Sequence, residues 1–179
     1  MKKLIIAAAI VCAAAFAQAA TVNWGVTNVK ADGGASPTAG WAVMAFYTEV
    51  GAGSSAIEDA IAKGTASSLA FEERTLSVAL GTGRVAAHDY NVAAISDTSK
   101  NYDMYFVVFN DADATKATKY AIMNDPNKAY SGMDGKYSSS ANFSGASWSE
   151  VPAPVIPEPT TGLLVLLGVA GLALRRRRA

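Results

Sequence analysis

Short runs of alternating apolar and polar residues mark the middle of the chain. Residues 21–26 and 76–80 alternate with period two, which is the pattern of a strand that buries one face. Residues 41–50 and 102–109 are richer in aromatic and β-branched side chains, which predicts central, more fully buried strands. These four segments predict a fold that is mainly β.

Two shorter segments, residues 120–123 and 146–151, are also predicted to be strands. Turn compositions separate the strands: Asp-Gly-Gly at 32–34, Gly-Thr-Gly at 81–83 and Asn-Asp-Pro-Asn at 124–127. About six short strands with this punctuation favour a small β-sandwich.

One short helix is predicted over residues 56–63. Ser55 and Glu58 have the spacing of a capping box at its start. Ile57 and Ile61 are four residues apart and therefore lie on one face. A helix of this length is not stable alone, so we expect its isoleucine face to dock on the sheet.

The first 19 residues have the three parts of a secretory signal peptide. Two lysines precede an apolar run over residues 4–17, and the small residues Ala17 and Ala19 stand at the cleavage positions. We expect export through the Sec translocon and cleavage by signal peptidase after Ala19, with Ala20 as the second choice. The alternative is an uncleaved N-terminal anchor, although ~14 apolar residues are short for a membrane span.

The other end combines three chemistries in a fixed order. Residues 138–149, rich in Ser, Ala and Gly, are predicted to lead into a stalk. A Pro-rich linker at 151–159 should be extended and accessible to a processing enzyme. Residues 160–174 carry no charge and make a helix of about 22 Å, shorter than the hydrocarbon core, so local thinning or snorkelling is needed. The membrane stop consists of four arginines: Arg175, Arg176, Arg177 and Arg178.

These arginines fix the orientation of the predicted transmembrane helix. The positive-inside rule holds them in the cytoplasm, which places residues 20–150 outside. The signal peptide predicts the same topology.

The tail resembles the PEP-CTERM sorting signal, the mark of exosortase substrates. The resemblance rests on the tripeptide Pro157, Glu158 and Pro159, on the Gly- and Leu-rich span, and on the terminal arginine block. It implies recognition of the tripeptide by a membrane-embedded exosortase, removal of the span, and transfer of the product to the surface or an exopolysaccharide matrix. A permanent C-terminal anchor behind a Pro-rich stalk is the alternative.

Charge and cysteine content exclude several classes of function. Between Ala20 and Glu150 there are nine Lys and Arg against fourteen Asp and Glu, so this region is mildly acidic and lacks the basic patch that a nucleic-acid partner requires. The single cysteine, Cys12, lies inside the signal segment. The mature domain therefore has no disulfide, no Cys-ligated metal and no catalytic thiol.

Two pairs of neighbouring residues are candidates for catalysis. His88 and Asp89 could form a base with its orienting carboxylate, and Glu72 and Glu73 could be paired acids. Adjacent side chains on a strand point to opposite faces, and no nucleophile motif accompanies either pair. We therefore favour a surface or turn histidine and a solvated acidic edge, and we assign no catalytic residue.

The alternating acids Asp111 and Asp113 are the only metal candidates that we consider. Alternating oxygen side chains can converge on Ca²⁺, but Lys116 and Ile122 stand where an EF-hand loop has Gly and Glu. We favour an Asp-rich loop after a strand. No metal or other cofactor is predicted.

Three segments follow from these patterns: a signal peptide (1–19), a β-sandwich-like extracytoplasmic domain (20–150) and a sorting tail (151–179). We expect an exported, non-enzymatic protein of the cell surface or exopolysaccharide matrix, which passes through an inner-membrane intermediate. Its expected partners are the Sec translocon, signal peptidase, exosortase and the membrane; an extracellular polysaccharide is a further candidate. The alternatives are a carbohydrate-binding module or adhesin that stays anchored, and a secreted hydrolase.

Overall fold

The computed structural model describes residues 20–92, 95, 100–128 and 136–152. They form nine strands and two short helices. The strands are β1 (Ala20–Val29), β2 (Ala42–Glu49), β3 (Glu72–Thr75), β4 (Ser77–Ala79), β5 (Thr82–Val92), β6 (Tyr102–Phe109), β7 (Lys119–Lys128), β8 (Lys136–Asn142) and β9 (Trp148–Glu150). The helices are α1 (Ser55–Ala62) and α2 (Ala66–Leu69), and a 3₁₀ turn covers Asp32–Gly34.

The strands make two sheets whose facing sides share one core. The first sheet has the order β4-β5-β1-β8, and the second has the order β3-β2-β6-β7-β9. All pairs are antiparallel except β1 with β8, which run parallel. Trp24 of β1 stacks on Phe106 of β6 across this core, with ring centroids 5.7 Å apart. The prediction of a mainly β fold with two layers of strands is confirmed.

The second sheet is buried on both faces because its central strands alternate between two cores. Ala45 of β2 and Phe106 of β6 face the first sheet, whereas Met44 and Tyr105 face α1. Every residue of β6 is buried. The prediction that β2 and β6 are central strands is confirmed, and the short helix explains why their apolar runs are continuous rather than alternating.

Helix α1 docks as expected, with one correction at its start. Ile57 and Ile61 are 1% and 4% exposed and pack on the outer face of the second sheet. The residue that precedes the helix is Ser54, not Ser55, and its hydroxyl donates to the Glu58 carboxylate at 2.6 Å. The Ser54 hydroxyl therefore binds the Glu58 side chain of the first turn. In a capping box it would instead accept a bond from a backbone N–H group.

The sequence prediction was wrong in two places where strands replace turns or stalk. The Asn-Asp-Pro-Asn segment at 124–127 belongs to β7, and Pro126 is tolerated because the β6–β7 register shifts there. Residues 138–142 belong to β8, where Ser139 and Ser140 both donate to the Asp125 carboxylate. Pairing with β1 and this carboxylate outweigh the low β-propensity of a serine-rich segment.

Candidate functional site

Strand β9 fixes the point at which the chain leaves the sandwich toward the sorting tail. It pairs with the start of β7, and the N–H of the next residue, Val151, donates to the carbonyl of Thr118 at 2.8 Å. Trp148 of β9 packs edge-to-face on Trp41 at 5.7 Å and donates its indole N–H to the Lys30 carbonyl. The exit of the tail is therefore held on an edge strand by both backbone and side-chain contacts.

The residues predicted to carry sorting and cleavage lie outside the described residues. They are Ala17 and Ala19 at the signal cleavage site, Pro157, Glu158 and Pro159 in the tripeptide, and Arg175, Arg176, Arg177 and Arg178 at the membrane stop. Their assignment stays a prediction. The count of residues still sets a limit: five residues separate Val151 from Pro157, and the six steps along the chain allow a reach of about 20 Å.

Asp111 and Asp113 form a self-contained turn at the same end of the sandwich. Asp111 accepts the backbone N–H of Asp113 at 2.9 Å, and Asp113 accepts both the N–H and the hydroxyl of Thr115. Asp113 also forms an exposed ion pair with Lys116. The bond from the Thr115 hydroxyl, followed by the Lys116 and backbone contacts, lowers the pKa of Asp113 to about 2.

These carboxylate oxygens accept bonds within their own loop rather than converging on a common point. Throughout the described ranges, no group of three or more His, Cys, Asp or Glu side chains has the arrangement of a metal site. The geometry is that of a loop closed by its own acids.

Glu72 and His88 form a hydrogen-bonded contact that joins the two sheets. The His88 Nε2 lies 2.8 and 2.9 Å from the two Glu72 oxygens, and the buried indole N–H of Trp24 donates to the same carboxylate at 2.6 Å. Arg74 lies 3.5 Å from it on the solvent side. The Glu72 side chain is 9% exposed and that of His88 is 20% exposed, so the expectations of a solvated edge and of a surface or turn histidine were wrong for these two residues.

In both predicted pairs, Glu72–Glu73 and His88–Asp89, the adjacent side chains point to opposite faces of their strand, as expected. Asp89 accepts from Asn23 at 2.6 Å, and Glu73 accepts from Ser67 at 3.2 Å, both on the exposed side. Neither neighbour joins the Glu72–His88 pair. The sequence signal that could have found this contact is Trp24, because a buried indole N–H needs an acceptor.

The three tryptophans do not form a common platform. Trp24 is fully buried, whereas Trp41 and Trp148 are partly buried and pair with each other. Trp148 lines an open groove of about 400 Å³ together with Asp32. Lys119 donates a hydrogen bond to Asp32 and lowers the pKa of this carboxyl.

Across the residues that the structure describes, no helix combines the length and apolar character needed to cross a bilayer. Comparison with known families finds one match, at residues 155–178, to the model described as the PEP-CTERM protein-sorting motif. No curated protein and no solved structure matches the chain. The match begins four residues after Val151, where the backbone contacts of β9 end.

Proposed function

Because the chain carries a PEP-CTERM protein-sorting motif at residues 155–178, we propose that it is an exported cell-surface or exopolysaccharide-matrix protein that is processed by exosortase. The match to the motif is the observation that carries the proposal. In it, residues 20–150 are delivered outside the inner membrane, and the tail holds them there until the span is removed.

The residues of the tail have separate roles in this proposal. Pro157 and Pro159 keep the acidic tripeptide extended and accessible, since proline fixes φ and cannot donate a backbone hydrogen bond. Glu158 supplies the only acidic side chain among residues 151–179. The arginine block at 175–178 stops transfer and remains in the cytoplasm. Support comes from the position of the motif directly after the anchored strand β9.

We further propose that the β domain is non-catalytic. The strongest catalytic candidates on sequence grounds, Glu72 and His88, are engaged with each other and with Trp24. Glu72 lies on β3 of the second sheet and His88 on β5 of the first, so their contact supports the packing of the two sheets. A carboxylate that already accepts from an indole and an imidazole serves poorly as a free acid or base.

Substitution of the tripeptide tests the processing step. In exosortase-containing cells, Glu158→Gln should shift the protein from the processed form to the longer, membrane-retained form, as seen by immunoblot of fractionated cells. Glu150→Gln is the matched control, because Glu150 is an exposed carboxylate on β9 only eight residues earlier. Equal processing of both variants and the wild type would contradict a role for the tripeptide.

The alternative is a carbohydrate-binding module or adhesin that stays anchored by its C-terminal helix. It differs from the main proposal in keeping residues 160–179 in the mature protein. A polysaccharide array probed with the full-length protein tests the binding part, and retention on an array polysaccharide would favour this alternative.

A further inference from the structure

The turn between β4 and β5 has a residue that is unfavourable there on two separate grounds. Leu80 has φ +51° and the following Gly81 has φ +74°, as in the mirror-image turns of hairpins, where Asn or Asp is the usual first residue. Leucine at positive φ is strained because its side chain crowds the backbone. Leu80 is also 103% exposed, so its side chain makes no compensating contact with the residues that the structure describes.

Lys30 binds this turn and links it to β9, the strand from which the tail leaves the domain. The Lys30 ammonium donates to the Gly81 carbonyl at 2.7 Å, and the Lys30 carbonyl accepts the indole N–H of Trp148 in β9. The turn and the exit strand therefore lie at the same end of the sandwich. Strained conformations that the surroundings hold in place are a sign of function.

The length of the linker brings this end close to the membrane. Eight residues separate Val151 from Thr160, where the predicted span begins, so the chain makes nine steps, and an extended Pro-rich linker covers about 3.1 Å per step. Val151 is thus held within about 28 Å of the start of the predicted span while the tail is attached, and Leu80 lies at the same end of the sandwich as Val151. A tether of this length raises the local concentration of bilayer surface enough for one apolar contact to matter.

We infer that the Leu80–Gly81 turn is a contact tip that inserts into the outer surface of the bilayer before the tail is cut. This inference rests on the proposed function, since it needs the tail to hold the domain at a membrane. The occupant is lipid: an aliphatic side chain at the end of a narrow turn fits the boundary between headgroups and acyl chains. Burial of one leucine shifts an equilibrium about 10- to 100-fold, which is sufficient for a tethered domain.

A fluorescent reporter beside the turn tests the inference in the chain without its predicted signal segment, residues 20–179. These residues contain no cysteine, which allows single labelling at Ala79→Cys, next to Leu80, or at Ala52→Cys, near the exposed Val50 beyond the end of β2. The chain is reconstituted into vesicles of phosphatidylethanolamine and phosphatidylglycerol, some with nitroxide-labelled headgroups in both leaflets. We expect quenching at position 79 and little at position 52.

The second variant, Leu80→Asn, keeps the turn and removes the apolar tip. It should lower the docked-to-free ratio about 10-fold or more and raise the urea midpoint, because asparagine adopts positive φ more readily. Equal quenching at positions 79 and 52, or quenching at 79 that survives Leu80→Asn, overturns the inference. A lower urea midpoint overturns it too, since Leu80 would then serve the fold.

A carbonate wash of the vesicles separates this inference from the proposed function. A chain that stays in the vesicle fraction without quenching at position 79 defeats the contact tip alone. A chain that is washed off defeats the membrane-held tail and, with it, the inference.

Discussion

Replacement of Glu72 by alanine should destabilise the domain far more than the same change at its neighbour Glu73. Glu72 accepts the indole N–H of Trp24, which is fully buried, and faces His88 Nε2 across the sheet interface. A buried donor left without an acceptor costs about 1–3 kcal/mol, and His88, whose side chain is 20% exposed, loses a hydrogen-bond partner worth about 1 kcal/mol. The expected loss in the free energy of unfolding is therefore about 2–4 kcal/mol.

Glu73→Ala is the matched control because this side chain is exposed on the same strand. It has one hydrogen bond, from Ser67 at 3.2 Å, so its loss should change stability by less than about 0.5 kcal/mol. Urea unfolding of the full-length chain in a mild non-ionic detergent, followed by tryptophan fluorescence, measures both. With a urea dependence of about 1–3 kcal/mol per molar, Glu72→Ala should move the midpoint by about 1 M or more.

A double-mutant cycle isolates the contact between the indole and the carboxylate. Trp24→Phe removes the N–H donor and keeps an aromatic ring in the core. If the bond to Glu72 is what stabilises the pair, Trp24→Phe should cost less in the Glu72→Ala background than in the wild type. Additive effects of the two changes, or equal stability of the Glu72→Ala and Glu73→Ala proteins, would refute the reasoning.

Three further predictions concern other parts of the domain. The pKa of Asp113 is about 2, against an ordinary 3.8, and carboxyl NMR titration should show it to rise in Thr115→Val. Because the folded value is the lower one, the stability that this carboxyl contributes is complete above about pH 4 and is lost as the pH falls toward 2. Gly25→Ala would place a Cβ 2.9 Å from the Val85 carbonyl oxygen, so urea unfolding should show a loss of about 1–3 kcal/mol. N-terminal sequencing of the exported protein should begin at Ala20, which is 1% exposed and starts β1; a start at Thr21 would contradict cleavage after Ala19.

The sequence predicted the parts of the fold that depend on local pattern. Strands β2 and β6 could be predicted because dense runs of aromatic and β-branched residues are typical of strands whose sheet is buried on both faces. Helix α1 could be predicted because Ile57 and Ile61 are four residues apart and so lie on one face of a helix. Each of these signals is contained in a single segment of about ten residues or fewer.

The parts that were missed depend on partners far away in sequence. Strand β8 is stabilised by parallel pairing with β1, more than 100 residues earlier, and its serines carry no apolar alternation. Strand β5 was missed because its middle residues are mostly exposed and show no regular alternation of apolar and polar side chains. The Glu72–His88 contact joins the edge strand β3 of one sheet to β5 of the other, so residue spacing along the chain does not predict it.

The candidate site shows the same division. The composition of the tail predicted a sorting signal over residues 151–179 because its three parts are contiguous, and the family match covers residues 155–178. The anchoring of the exit through Val151 and Thr118, and the link from Lys30 to Trp148, needed the folded chain.

Intact-mass spectrometry of the exported protein, from cells with and without exosortase, tests the central claim most directly. The account predicts that exosortase-containing cells yield a chain that ends near the tripeptide Pro157–Glu158–Pro159, with the span and the arginines at 175–178 removed. Cells without exosortase should yield a chain that still ends at Ala179. A C-terminus that carries the arginine block in both strains would contradict the account.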